Sequence, residues 1–96
     1  MPFFGKHSCF SFTPVSVRQN APSAPGVYGL SNAREWVFIG SAENVRAALF
    51  DCLSGPALRS HGVTGFTFEL CNPEARDERE RRLILEMRPV FTTRPA

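Results

Sequence analysis

The stretch from Gly26 to Gly40, GVYGLSNAREWVFIG, constrains this chain more than any other. Val27, Tyr28 and Leu30 in its first half and Trp36 to Ile39 in its second are the β-branched and aromatic residues that strands favour. Ser31-Asn32 between them supplies turn chemistry. The spacing predicts a hairpin that delivers Tyr28 and Phe38 close to the start of a following helix, and that is where a site is expected.

Ninety-six residues make one small domain with a single modest core. There is no room for a separate specificity domain, so targeting is expected to come from a protein partner. Hydrophobic residues are 43% of the chain, with nine Phe, yet no apolar run approaches the roughly 18 residues of a membrane span. The start, MPFFGKHSCF, carries one Lys and no long apolar block, unlike a secretion signal. A cytoplasmic location, with no membrane partner, is the expectation.

Cys9, Cys52 and Cys71 are too few and too scattered for a disulfide framework. A zinc site from His7, Cys9, His61 and Cys71 has no support in spacing. The net charge of +2 is weakly basic, less than a domain living by non-specific DNA binding usually carries. Ten of the eleven basic residues are Arg, which suits phosphate forks and equally suits a GC-rich genome.

Residues 1 to 23 divide into an aromatic cluster (Phe3, Phe4, Phe10, Phe12) and a run rich in Pro, Ser and Ala. Phe10 and Phe12 alternate with polar residues, as in a short edge strand or a strap, and the Pro-rich run reads as a linker into a domain over 24–96. After the hairpin, Ser41-Ala42-Glu43-Asn44 offers capping side chains, and Val45, Ala48, Leu49, Cys52 and Leu53 define one face of an amphipathic helix ended by Gly55-Pro56. Residues 56 to 65 read as a loop with at most one helical turn. Phe66 to Leu70 alternates strictly, predicting a strand with one wet face. Asn72-Pro73 then opens a helix to about Met87, stopped by Arg88-Pro89. His61 reads as a solvated loop residue, and Trp36 as core.

The order gives an α+β sandwich: a three-stranded, mostly antiparallel sheet covered by two or three helices. On the last helix Leu83, Ile84 and Met87 form the apolar stripe, and Glu80 points the same way. A carboxylate there needs a hydrogen bond, a cation or an ion pair, and Arg76 one turn earlier is the obvious partner. Glu74, Asp77, Glu78 and Glu86 face outward.

Gly26-Val27-Tyr28 and Phe38-Ile39-Gly40 resemble the two halves of the motif that names the GIY-YIG nucleases, a family that includes homing endonucleases and the incision subunit of bacterial excision repair. Glu80, counted back from Arg88-Pro89, falls at the position of that family's metal-binding glutamate, and the resemblance covers about residues 24 to 92. It implies a GIY-YIG-like fold, a divalent cation (Mg or Mn) on Glu80, a catalytic hydroxyl on Tyr28 and a DNA partner, with RNA as the alternative.

The same resemblance exposes departures. Phe38 stands where the second tyrosine is expected, Ala48 where an arginine is expected, Cys52 at a frequent Tyr or His position, and Thr92 at a frequent Asn. Arg46 leaves its helix nearly opposite Ala48. Arg76, Arg79 and Arg88 join Arg46 as candidate nucleic-acid contacts, and Arg76 or Arg79 could replace the missing arginine. The reading is a nuclease-fold domain with a degenerate site that binds nucleic acid and has weak or lost hydrolysis. An active metal-dependent endonuclease and a pure protein-interaction module are the alternatives.

Overall fold

The computed structural model describes residues 9–93, so Phe3, Phe4 and His7 lie outside the described residues. Eight elements follow in order: β1 (Phe10–Ser11), α1 (Pro14–Asn20), β2 (Gly26–Ser31), β3 (Trp36–Ala42), α2 (Val45–Leu53), α3 (Pro56–Ser60), β4 (Gly65–Leu70) and α4 (Pro73–Met87). The strands form one antiparallel sheet in the order β1-β4-β2-β3. The sheet thus has four strands where three were expected, and four helices cover it. Among the described residues no helix is long and apolar enough to cross a membrane.

Alternation along β2 decides which side chains meet which helices. Tyr28 and Leu30, with Phe38 of β3 and Phe66 of β4, point to a core that contains Val17 of α1, Val45, Leu49 and Cys52 of α2, and Leu58 of α3. Val27 and Ile39 point the other way, onto Leu83 of α4, with Trp36, Cys71, Ile84 and Met87 around them. Both faces are therefore covered, and the wet face expected for β4 does not exist. Thr67 on that face is 1% exposed, on the side of the sheet where α4 packs over β2 and β3.

The Pro-rich run expected as a linker instead carries α1. Thr13 caps this helix by accepting from the Ser16 amide, Pro14 opens it, and Val17 anchors it in the core. What remains, residues 21–25, is stitched to the start of α2 by Val45 N–H to Ala24 O and Arg46 N–H to Pro22 O. The Phe10 ring lies 5.4 Å from Phe66, and Phe12 lies 6.4 Å from it, so both are packing residues.

Caps and stops set the remaining bounds. Asn44 accepts from the Ala47 amide to start α2, whereas Asn72, at the equivalent position of α4, makes no such bond. Gly62 at φ 65° turns the chain after α3. His61 there is half-buried against the Phe91 ring, 4.9 Å away, and donates from Nδ1 to Ala57 O; the expected solvated residue is part of the packing. α4 ends on Arg88 in the left-handed region at φ 50°, before buried Pro89. The chain then runs along the outer edge of β3, with Val90 N–H to Trp36 O and Phe91 N–H to Val37 O.

Candidate active site

Among the described residues β3 is the edge of the sheet, and the segment after α4 covers its first half alone. Around its second half, Gly40 to Ala42, the candidate residues gather. Tyr28 pairs with Gly40 across the ladder, and its ring folds over that glycine: a Cβ there would lie 2.7 Å from the Tyr28 hydroxyl and 2.9 Å from the Phe38 ring. The Tyr28 and Phe38 rings meet edge to face at 6.0 Å. Gly40 is what admits two aromatic rings against one stretch of backbone.

The next residue points to the opposite face. Ser41 Oγ donates to Glu80 Oε1 at 3.1 Å, fixing the carboxylate of α4 against β3. Glu80 is half-buried and, among the described residues, pairs with no cation. Arg76 does not neutralise it. Tyr28 and Glu80 thus flank two consecutive residues of one edge strand from opposite faces. Ser41, expected only among the capping side chains before α2, sits two residues beyond Ile39 on the face that meets α4, and alternation was the signal that could have placed it beside Glu80.

The Tyr28 face is closed. Tyr28 is 3% exposed, Phe38 4% and Cys52 2%, with the Tyr28 hydroxyl 4.0 Å from the Cys52 sulfur. Cys52 is the next-to-last residue of α2, so the hydroxyl meets the end of that helix rather than its start. Ala48 packs half-buried against the same core.

The arginines take different posts. Arg79 donates from Nε and Nη2 to the two carboxylate oxygens of Glu69, at 2.9 and 3.0 Å, tying α4 to β4 and raising the guanidinium's already high pKa through that hydrogen-bonded pair. Arg46 donates from Nε to Ala21 O at 2.8 Å, closing α2 onto the end of α1. Arg88 is exposed at the turn end of the hairpin, on an open cleft of about 490 Å³ shared with Ser31, Asn32, Arg34, Trp36 and Glu86. Five residues of strand, about 17 Å, separate that end from Ser41. Arg76 is half-buried on α4, and its Nε and Nη1 are buried without a hydrogen-bond partner among the described residues.

Glu74, Asp77, Glu78 and Glu86 are exposed. The described residues contain no group of three or more His, Cys, Asp or Glu able to hold a metal. Any cation at Glu80 would have fewer than three His, Cys, Asp or Glu ligands among the described residues and keep several waters, an arrangement that suits magnesium. The unneutralised Glu80 oxygens are compatible with that role.

A scan of family models and a search of curated proteins match nothing. Solved structures do match. The GIY-YIG N-terminal endonuclease domain of UvrC from Thermotoga maritima, bound to its catalytic divalent cation, magnesium, superposes with a TM-score of 0.67 at 24% identity, over 80% of this chain and 96% of that one. A tyrosine-to-phenylalanine point mutant of the same domain, also bound to its divalent cation, gives 0.66 at 25% identity over 80% and 96%. An asparagine-to-alanine mutant with its cation gives 0.66 at 24% over 81% and 96%. With the glycine-bracketed hairpin, α2 behind it and Glu80 on the last helix, the chain has the fold of a GIY-YIG endonuclease domain.

Proposed function

We propose that this is a GIY-YIG-fold domain that binds nucleic acid and has weak or lost metal-dependent phosphodiester hydrolysis. One observation carries the reading: the acidic half of the site faces the open edge of β3, while the hydroxyl half is sealed in the core. Glu80 is held by Ser41 and forms no ion pair among the described residues. Tyr28 is 3% exposed.

A divalent cation, when bound at Glu80, would draw charge from a phosphodiester. Ser41 holds the carboxylate in place for it. Hydrolysis also needs a group to take the proton from water and a donor to meet the charge that develops on phosphorus. Phe38 has no hydroxyl, Ala48 no charge, and Cys52 is buried against Tyr28. Losing a proton-transfer group typically costs ~10²- to 10⁴-fold and losing one charge-stabilising donor ~10²- to 10³-fold. Together they account for a scaffold that retains binding and little turnover.

Phosphate contact must come from placed side chains and not from a general basic field. α4 carries four arginines against five carboxylates. Affinity is therefore expected to be modest, with a shallow salt dependence set by few contacts.

The active endonuclease is the second reading, favoured by the solved neighbours. The UvrC domain retains its cation in tyrosine-to-phenylalanine mutants, so Phe38 is no obstacle to a cation at Glu80. Nicking of supercoiled plasmid with magnesium or manganese separates the two. Trace nicking or none, with a gel shift of DNA that weakens as salt rises, is the expected result. Efficient nicking that disappears in Glu80→Ala would establish the active enzyme, and no shift of DNA or RNA would remove the nucleic-acid role.

A further inference from the structure

We propose that Arg76 is the phosphate-gripping residue of this domain, donating from its guanidinium edge to the non-bridging oxygens of a nucleic-acid phosphodiester on the Glu80 side of the sheet. The assignment rests on the nucleic-acid reading above and names the donor that reading lacks. α4 runs antiparallel to β3, with Met87 near Trp36 and Glu80 at Ser41. One further turn, about 6 Å along the axis, sets Arg76 level with the open end of β3 and on the face that carries Glu80.

Its Nε and Nη1 are buried and lack an acceptor among the described residues. Buried N–H groups without a partner are unusual, and a charged one is the most costly kind to leave so. The obvious internal acceptor is not used, since Glu80 takes its hydrogen bond from Ser41 and forms no ion pair with Arg76. The other candidates are committed or distant: Arg79 is forked onto Glu69, Arg46 holds Ala21 O, and Arg88 stands at the turn end of the hairpin. Arg81 and Arg82 are exposed. A phosphate at the edge of β3 would draw the long Arg76 side chain out and give its planar fork two oxygens of matching geometry. A cation held at Glu80 and a guanidinium one turn away would then meet the same anion from two sides.

The test follows the Arg76 Nε–H resonance in the ¹⁵N-labelled chain during titration with inorganic phosphate and with a short DNA duplex, beside duplex affinities of Arg76→Gln and Arg76→Lys across a salt series. A downfield shift of that resonance with both ligands is expected. Arg76→Gln should bind the duplex ~10-fold or more weakly and lower the salt slope by about one, while Arg76→Lys keeps the slope and loses part of the affinity. Duplex binding by the parent that Arg76→Gln matches in affinity and slope overturns the assignment and leaves the nucleic-acid reading standing. A phosphate-induced shift without duplex binding overturns the assignment together with the nucleic-acid reading, leaving only a site for free phosphate. No shift with either ligand overturns the assignment, and because it is read on the parent chain it does not depend on a variant folding.

Discussion

Two glycines bracket the hairpin, and they are not equivalent. At Gly40 a Cβ would fall 2.7 Å from the Tyr28 hydroxyl and 2.9 Å from the Phe38 ring; at Gly26 it would fall 2.5 Å from the backbone oxygen of Glu69. Rings in a packed core can tilt slightly, whereas a ladder carbonyl cannot move without parting β2 from β4. Gly40→Ala should lose about 1–3 kcal/mol by overpacking, and Gly26→Ala should lose more. Urea unfolding of the two variants checks the order, and equal or reversed losses would refute the argument. Both glycines were visible in the sequence as punctuation, but their reason is three-dimensional: one makes room for rings, the other for a neighbouring strand. The thiols offer a second residue-scale prediction. Burial, and then the Glu69 carboxylate, push Cys71 above its ordinary 9.0. The folded state then holds that proton longer than the unfolded one, so stability is full below pH 9 and falls as pH rises through the raised value. A pH series of urea midpoints should decline above pH 9 in the parent and less so in Cys71→Ala.

At the scale of elements, two asparagines precede two helices and only one caps. Asn44→Ala should cost about 1 kcal/mol, through the lost bond to the Ala47 amide, and Asn72→Ala a few tenths at most. Similar losses in thermal unfolding would contradict the structure. The Arg79–Glu69 fork is partly exposed, at 31% and 25%, so a double-mutant cycle should return a coupling of only about 0.5–1 kcal/mol. The contrast between elements explains what the sequence disclosed. α2 and α4 carry apolar residues at helical spacing and were legible within a residue or two. α1 was not: seven residues with a single buried side chain, Val17, begin at Pro14 inside a Pro- and Ser-rich run, and a linker is the natural reading of such composition. β1 has two residues and exists only because β4, more than fifty positions later, offers it an edge. The Glu80 position followed from the apolar stripe, but nothing in the pattern told which face of the sheet α4 covers. The placement of Tyr28 and Glu80 on opposite sides of β3 was therefore hidden until the helix was docked.

The whole molecule is a sheet closed on one side and chemically equipped at the edge of the other, and that asymmetry predicts how activity would return. If hydrolysis was lost through Phe38 and Ala48 alone, the scaffold should accept their reversal, because Phe38 meets Tyr28 and Ala48 packs against the same core on the α2 face. Phe38→Tyr adds only one oxygen to a ring already 6.0 Å from Tyr28, while Ala48→Arg must carry a guanidinium out from a half-buried position to the edge of β3. The double variant should therefore fold with a lowered melting temperature and gain metal-dependent nicking, and each single variant should gain less, since a proton acceptor and a charge donor serve the same transition state. Plasmid nicking by the four proteins, each with and without Glu80→Ala, reads this directly. A gain that requires Glu80 would mean that the carboxylate edge is intact and that the two missing groups alone are what silence it. A folded double variant that still binds DNA and cuts nothing would place the defect in the burial of Tyr28 itself, sealed by Cys52 and α2 beyond the reach of two side chains.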